Sequence, residues 1–184
     1  MTTDNIADLS DPRGQPARTR MINAFNAMVL GNAPRPWRVG EIVARAKVAR
    51  STFYDHFDSS DAILLEAMRG PFRIFADVLA GTKGEIALIG LLDHFRDKRV
   101  RALEILNGPM RDRLARLLEQ MIADRLDGPA DVRLTAIQLT AATLAPLTPW
   151  LQGRMPLSSP VLAARLCAAA TAIRAVGQDH EPTE

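Results

Sequence analysis

Cysteine is all but missing from this chain. Cys167 stands alone among 184 residues, which excludes an internal disulfide and any zinc site built on thiolates. Aromatic side chains make up only 5%, and no stretch alternates β-branched and polar residues with the period of two that a strand requires. No apolar run reads as long enough to span a bilayer, and the start lacks a signal-peptide pattern, so a cytoplasmic protein is expected. A Gly-rich phosphate loop is absent, as is any Ser/His/Asp or paired-carboxylate grouping. The three histidines, His56, His94 and His180, lie far apart. No catalytic residue, metal ligand or cofactor is therefore expected, and the chain does not read as an enzyme. His94, beside Asp93 and Phe95, reads as a surface or pocket-edge residue, and Cys167 as a small packing residue.

What the chain has is helix-forming material. Hydrophobic residues make up 47%, with Ala, Leu and Arg recurring throughout, which points to an all-α protein. The net charge is only +2, but it is unevenly placed. Arg13, Arg18, Arg20, Arg35, Arg38, Arg45, Lys47 and Arg50 face only Glu41 and Asp55 between Arg13 and Phe57, a net of +6. The remainder is therefore acidic at −4. A basic end on an acidic molecule suits contact with a polyanion, and equally a solvated face.

Val39, Ile42, Val43 and Ala46 fall at i, i+3, i+4 and i+7, the apolar stripe of a short helix. Lys47-Val48-Ala49 breaks that pattern. A second short helix follows, with Phe53 and Phe57 on one side and Arg50, Ser51, Thr52 and Asp55 on another. Two short helices around a tight turn, the second with a polar leading edge, describe a helix-turn-helix able to enter a DNA major groove. The run Ile42 to Phe57, above all Thr52-Phe53-Tyr54-x-His56-Phe57, followed by Asp61-x-x-Leu64, resembles the DNA-binding segment of the tetracycline-repressor (TetR) family of bacterial transcriptional regulators. The likeness covers roughly the first third of the chain. Three positions depart from the family pattern. Lys47 stands where Gly is common, which places a non-Gly residue at positive φ. Ala49 replaces a frequent capping Ser, a loss of about 1 kcal/mol. Ser60 replaces a phosphate-contacting Lys.

The resemblance implies a homodimer that binds a palindromic operator, most often as a repressor, and leaves it when a small apolar effector binds. Arg50 and Ser51 are the candidate base readers, with a phosphate contact as the alternative for Arg50. Thr52, Tyr54 and His56 carry over from the family motif as backbone contacts or orienting groups. Tyr54 could instead be a packing residue and His56 a helix-end hydrogen bond. Arg38 and Lys47 are candidate phosphate contacts.

The expected organisation is a flexible arm over 1–16, a three-helix head over 17–62, an effector-binding and dimerisation bundle over 63–178, and a disordered tail over 179–184. Met21, Ile22, Phe25, Met28 and Val29 form the stripe of a first helix closed by Gly31-Asn32. Pro34 and Pro36 follow in an extended link, and Trp37 is placed to plug the core beneath it. A connector helix over 61–79 is expected to kink or split at Pro71. Body helices are expected near 85–97, 99–107 and 109–127, the last stopped by Gly128-Pro129. A long helix capped by Asp131 should bend or end at Pro146 and Pro149, and Ser158/Ser159-Pro160 should open the final one.

The resemblance places an effector pocket in the body, for which Phe72, Phe75, Leu88, Leu92, Phe95, Leu103, Met110, Leu114, Met121 and Thr140 are candidate walls; all would equally suit a solid core. It also pairs the last two helices with a second subunit, making Leu144, Leu147, Leu151, Leu162, Leu166, Ala169 and Ile173 candidate interface residues, or else monomer core. The rival reading is a helical small-molecule carrier or enzyme whose N-terminal helix pair is merely structural.

Overall fold

The computed structural model describes residues 15–31, 36–126 and 132–178. Nearly all of the expected arm, Arg13, Asn32, Pro34, Arg35, the Gly128-Pro129 stop, the Asp131 cap and the tail lie outside the described residues. Among those described the protein is all-helical: α1 (Ala17–Leu30), α2 (Val39–Ala46), α3 (Arg50–Tyr54), α4 (Ser60–Leu79), α5 (Ile86–Asp97), α6 (Arg99–Leu106), α7 (Arg111–Ala123), α8 (Val132–Leu151) and α9 (Ser159–Gln178). The chain divides into two compact units, Met1–Ala67 and Met68–Glu184.

In the first unit α1, α2 and α3 pack on one another. Met21, Phe25 and Met28 of α1 bury against Ile42 of α2 and Phe53 of α3, all at 1% exposure or less. Trp37 closes this core as expected, its ring 5.0 Å from Phe25 and edge-on at 82°. Burying each large apolar side chain contributes roughly 1.5–3 kcal/mol, enough in sum to hold a five-residue helix that could not persist alone. Arg18 of α1 reaches Glu66 of α4 at 2.8 Å and lies over the Phe57 ring at 5.6 Å. Ser59 caps α4, its Oγ accepting from the Ala62 N–H at 3.2 Å.

In the second unit α8 packs on α7, α9 and α6, while α5 packs on α9 and α6. Phe72 and Phe75 of α4, Leu88 and Leu92 of α5, Leu118 and Ile122 of α7 and Leu147 of α8 form the interior. Polar ties hold the ends of the helices. Ser159, fully buried, donates to Asp93 at 2.7 Å, and the Trp150 indole N–H donates to the Leu157 carbonyl at 2.8 Å. Asp77 takes Arg125 at 2.6 Å and Lys83 at 2.7 Å. Arg125 also donates to the Met121 carbonyl at 2.6 Å, so one carboxylate joins the end of α4, the loop after it and the end of α7.

Three expectations need correction, the first two as to a split or an end at proline, not as to a kink or bend. α4 is not split: it runs through Pro71 to Leu79. α8 likewise does not end at Pro146; it continues past Pro149 to Leu151. Each proline removes one backbone donor, but buried Phe72 and Phe75 follow Pro71, and Leu147, Trp150 and Leu151 follow the other two, so packing on both sides of the break outweighs the lost bond. Third, α9 over Ser159–Val176 is long and apolar enough to cross a membrane by length and composition. It reads so because it is rich in alanine. It carries Arg165 and Arg174 and packs one face on α8 and α5, as the core helix of a bundle does.

Candidate nucleic-acid interface

The turn between α2 and α3 sets the geometry of the head. Lys47 takes the left-handed conformation, φ 52° and ψ 50°, the strained non-Gly position anticipated from the sequence. The Val48 N–H bonds the Val43 carbonyl at 3.1 Å and the Lys47 N–H bonds the Ala44 carbonyl at 3.3 Å. This is the Schellman pattern, which satisfies the last carbonyls of α2 and turns the chain sharply. Arg20 of α1 donates to the Lys47 carbonyl at 3.4 Å, a tie between helix 1 and the turn that sequence periodicity could not show. The next helix starts at Arg50 without a side-chain cap from Ala49.

Phe53 and Phe57, buried at 0% and 5%, anchor one side of this second helix. Its other side is left to solvent. Arg38, Lys47, Arg50, Ser51, Tyr54 and His56 are exposed, and Thr52 is half-buried. Six of the seven candidate DNA contacts thus fall on or beside the turn and α3, while Arg38 stands at the start of α2. Tyr54 is 48% exposed, so the packing alternative holds only for one edge of its ring, which meets Phe53 at 5.5 Å and 86°. Arg50 lies over the Tyr54 ring, 5.9 Å from its centroid, and its Nη2 is 3.4 Å from the Tyr54 hydroxyl. A short helix bracketed by buried phenylalanines, with an unobstructed edge of Arg, Ser and Tyr, can hydrogen-bond to base edges and phosphates alike.

The second unit places its candidates differently. A cavity of about 770 Å³ lies between α6, α7 and α8, with Leu106, Arg111, Glu119, Ile137, Thr140 and Leu144 in its wall. Of the ten residues expected to line a pocket, Thr140 is the one in this wall. Leu103 is half-buried, and the other eight (Phe72, Phe75, Leu88, Leu92, Phe95, Met110, Leu114 and Met121) are buried in the interior. They follow the apolar stripes that meet at the centre of the bundle, whereas the cavity lies against the outward side of α8. Thr140 is 2% exposed, and its hydroxyl has no hydrogen-bond partner among the described residues.

The interface candidates divide by burial. Leu147, Leu151, Leu162 and Leu166 are buried within the subunit. Ala169 and Ile173 are half-buried, as is Leu144, which faces the cavity. The apolar residues left outside are Leu134, Ile137, Ala141 and Ala145 on α8, and Val161, Ala164, Ala168, Ala172 and Val176 on α9. These helices are apolar on two faces, and hydrophobicity alone does not say which face turns inward.

Cys167 is half-buried. Burial raises its thiol above the ordinary value, Glu85 adds to that, and Arg174 partly opposes it, so it is a poor nucleophile.

An all-helical chain with an exposed helix-turn-helix edge on one unit and a helical bundle as the other supports a DNA-binding regulator. Residues 36–67 match the family described as bacterial regulatory proteins, tetR family. No curated protein matches the chain. Among solved structures, a TetR transcriptional regulator from Rhodococcus sp. RHA1 is similar, with a TM-score of 0.57 and 16% identity over 85% of this chain and 95% of that one. A tetR-family transcriptional regulator from Streptomyces coelicolor gives 0.52 and 16% over 89% and 85%. The dihydroxyacetone kinase operon activator DhaS gives 0.52 and 16% over 87% and 97%. At such identities the likeness is one of fold.

Proposed function

We propose that the protein is a ligand-responsive repressor that binds a palindromic operator as a homodimer and is released by a small apolar effector. The exposed edge from Arg50 to Tyr54, carried on a helix whose opposite side is anchored by Phe53 and Phe57, is the observation that supports it most. Arg50 and Ser51 read bases, a guanidinium gripping guanine O6 and N7 with two bonds contributing roughly 1–3 kcal/mol of discrimination. Arg38, Lys47, Thr52 and His56 contact the phosphate backbone, which positions the head without choosing a sequence. So short a helix gives few base contacts. A two-fold pair of heads, spaced about one helical repeat apart, doubles them.

Dimerisation is assigned to the outward faces of α8 and α9. Small Ala side chains at Ala164, Ala168 and Ala172 let a neighbouring helix approach closely. The effector is assigned to the bundle, where Thr140 offers an unpartnered hydroxyl beside Ile137 and Leu144, with Arg111 and Glu119 in the same wall. Release follows by population shift: a ligand that prefers a dimer with wrongly spaced heads lowers operator affinity by its differential affinity for the two states. DhaS, a relative in fold, is described as an activator, so the direction of control is read with a reporter gene placed behind the operator.

The test is selection of duplexes from a random pool, followed by titration against bulk DNA at defined salt. A selected palindrome preferred at least about a thousandfold over bulk DNA is expected. A uniform affinity for all duplexes would favour the helical carrier or enzyme.

A further inference from the structure

We propose that Tyr54 acts as the positioning residue for Arg50, setting sequence preference through that side chain instead of contacting phosphate itself. The inference rests on the reading above that α3 meets DNA.

Arg50 and Tyr54 open and close a five-residue helix. Their spacing of four places them one above the other on the same face. The Tyr54 ring cannot swing freely, because its edge is set against Phe53 at 5.5 Å and Phe53 is fully buried. Over that ring lies the guanidinium, at 5.9 Å from the centroid and so within the range of a cation–π contact. The tyrosine hydroxyl sits 3.4 Å from Nη2, a long hydrogen bond that adds direction to the stacking. Core, ring and guanidinium thus form a chain of contacts ending in the side chain best suited to read guanine.

The Tyr54 oxygen accepts from Arg50 and its own O–H can still donate, so a direct phosphate contact is the alternative that the salt slopes below separate from positioning. A guanidinium carries five N–H donors, so engaging one leaves enough for a two-bond grip on a base. Arginine otherwise loses several free torsions when it docks. Holding it beforehand lowers that cost for the correct site. Wrong sequences gain nothing from a pre-aimed guanidinium, so the benefit falls on the difference between sites.

The experiment is a double-mutant cycle in the full chain, using a duplex selected by the wild-type protein and a scrambled duplex of equal length. The readout is the ratio of the two affinities, measured across a salt series for Arg50→Ala, Tyr54→Ala, Tyr54→Phe and the double variant. Arg50→Ala and Tyr54→Ala should each lower the ratio about tenfold, and the double variant should lower it no further. Tyr54→Phe, which keeps the ring, should retain most of the ratio. Salt slopes for the Tyr54 variants should match wild type. Equal weakening on both duplexes by Tyr54→Ala, or losses from the two single variants that multiply, would overturn the positioning role while leaving DNA recognition standing. Absence of any preferred duplex for the wild-type chain would remove both together.

Discussion

Replacing Lys47 with glycine should make the head more stable and at the same time weaken its hold on DNA. Lys47 has φ 52°, a left-handed conformation that costs a residue with a Cβ roughly 1–2 kcal/mol. Glycine adopts it without that penalty, but gives the unfolded chain more freedom, offsetting about 0.4–1 kcal/mol. The side chain is exposed, so little packing is lost. The net expectation for Lys47→Gly is a gain of about 0.5–1 kcal/mol, or ~1–4 °C in a chain of this size. Amide exchange at Val48 and Phe53 confines the readout to the head. Removing one phosphate contact should also flatten the dependence of log affinity on log salt by about 0.9. Lys47→Ala is the control, since it loses the same charge but keeps the strained φ. It should reproduce the salt effect without the stabilisation. Equal stabilisation by Ala and Gly would refute the strain argument, because relief of repulsion among the basic residues would then explain it. An unchanged salt slope in both variants would take Lys47 out of the interface.

Burial pushes the Asp77 carboxyl up, but the bonds and charges of Lys83 and Arg125 outweigh it and hold the group below its ordinary value. With the folded value under the unfolded one of about 3.9, the stabilisation is present above that pH and is lost as pH falls through the folded value. Asp77→Asn should therefore destabilise the fold at neutral pH, and chemical denaturation should show the gap from wild type closing in acid. A constant gap from pH 7 to pH 3 would contradict the ion-pair account. On the outward face of α9, Ala168→Glu should shift the particle to monomer in light scattering while circular dichroism stays unchanged. Leu162→Ala, truncating a side chain 2% exposed, should lose about 2–5 kcal/mol of fold stability. If Ala168→Glu remained dimeric at low concentration, that face would not be the interface.

The head was largely legible because its signals are local. The stripe from Val39 to Ala46, the break at Lys47 and the Phe53/Phe57 spacing each follow from helix geometry over a few residues, and the positive φ at Lys47 followed from the resemblance, which has Gly at that place. The tie from Arg20 to the Lys47 carbonyl joins residues 27 apart and has no sequence signature. In the second unit, prolines were given too much weight. Pro71 and Pro146 each remove one hydrogen bond, but the buried side chains around them keep the helix continuous. The interface residues were left open between partner and core for a different reason. α8 and α9 are apolar nearly all round, so Leu147 and Leu162 looked as suited to a partner as to the core, and only the packed bundle separates the two faces. Thr140 stood among the pocket candidates for its place on α8, whereas its unpartnered hydroxyl is visible only in three dimensions.

The claim on which the rest depends is that two copies of the α3 edge meet one face of a duplex. Hydroxyl-radical footprinting of the wild-type protein on its selected duplex tests this directly. Two protected patches related by a two-fold axis, with centres about 34–36 Å apart, are the expected result, and Arg50→Ala should weaken both together. A single patch, or protection that slides without register along the duplex, would contradict it.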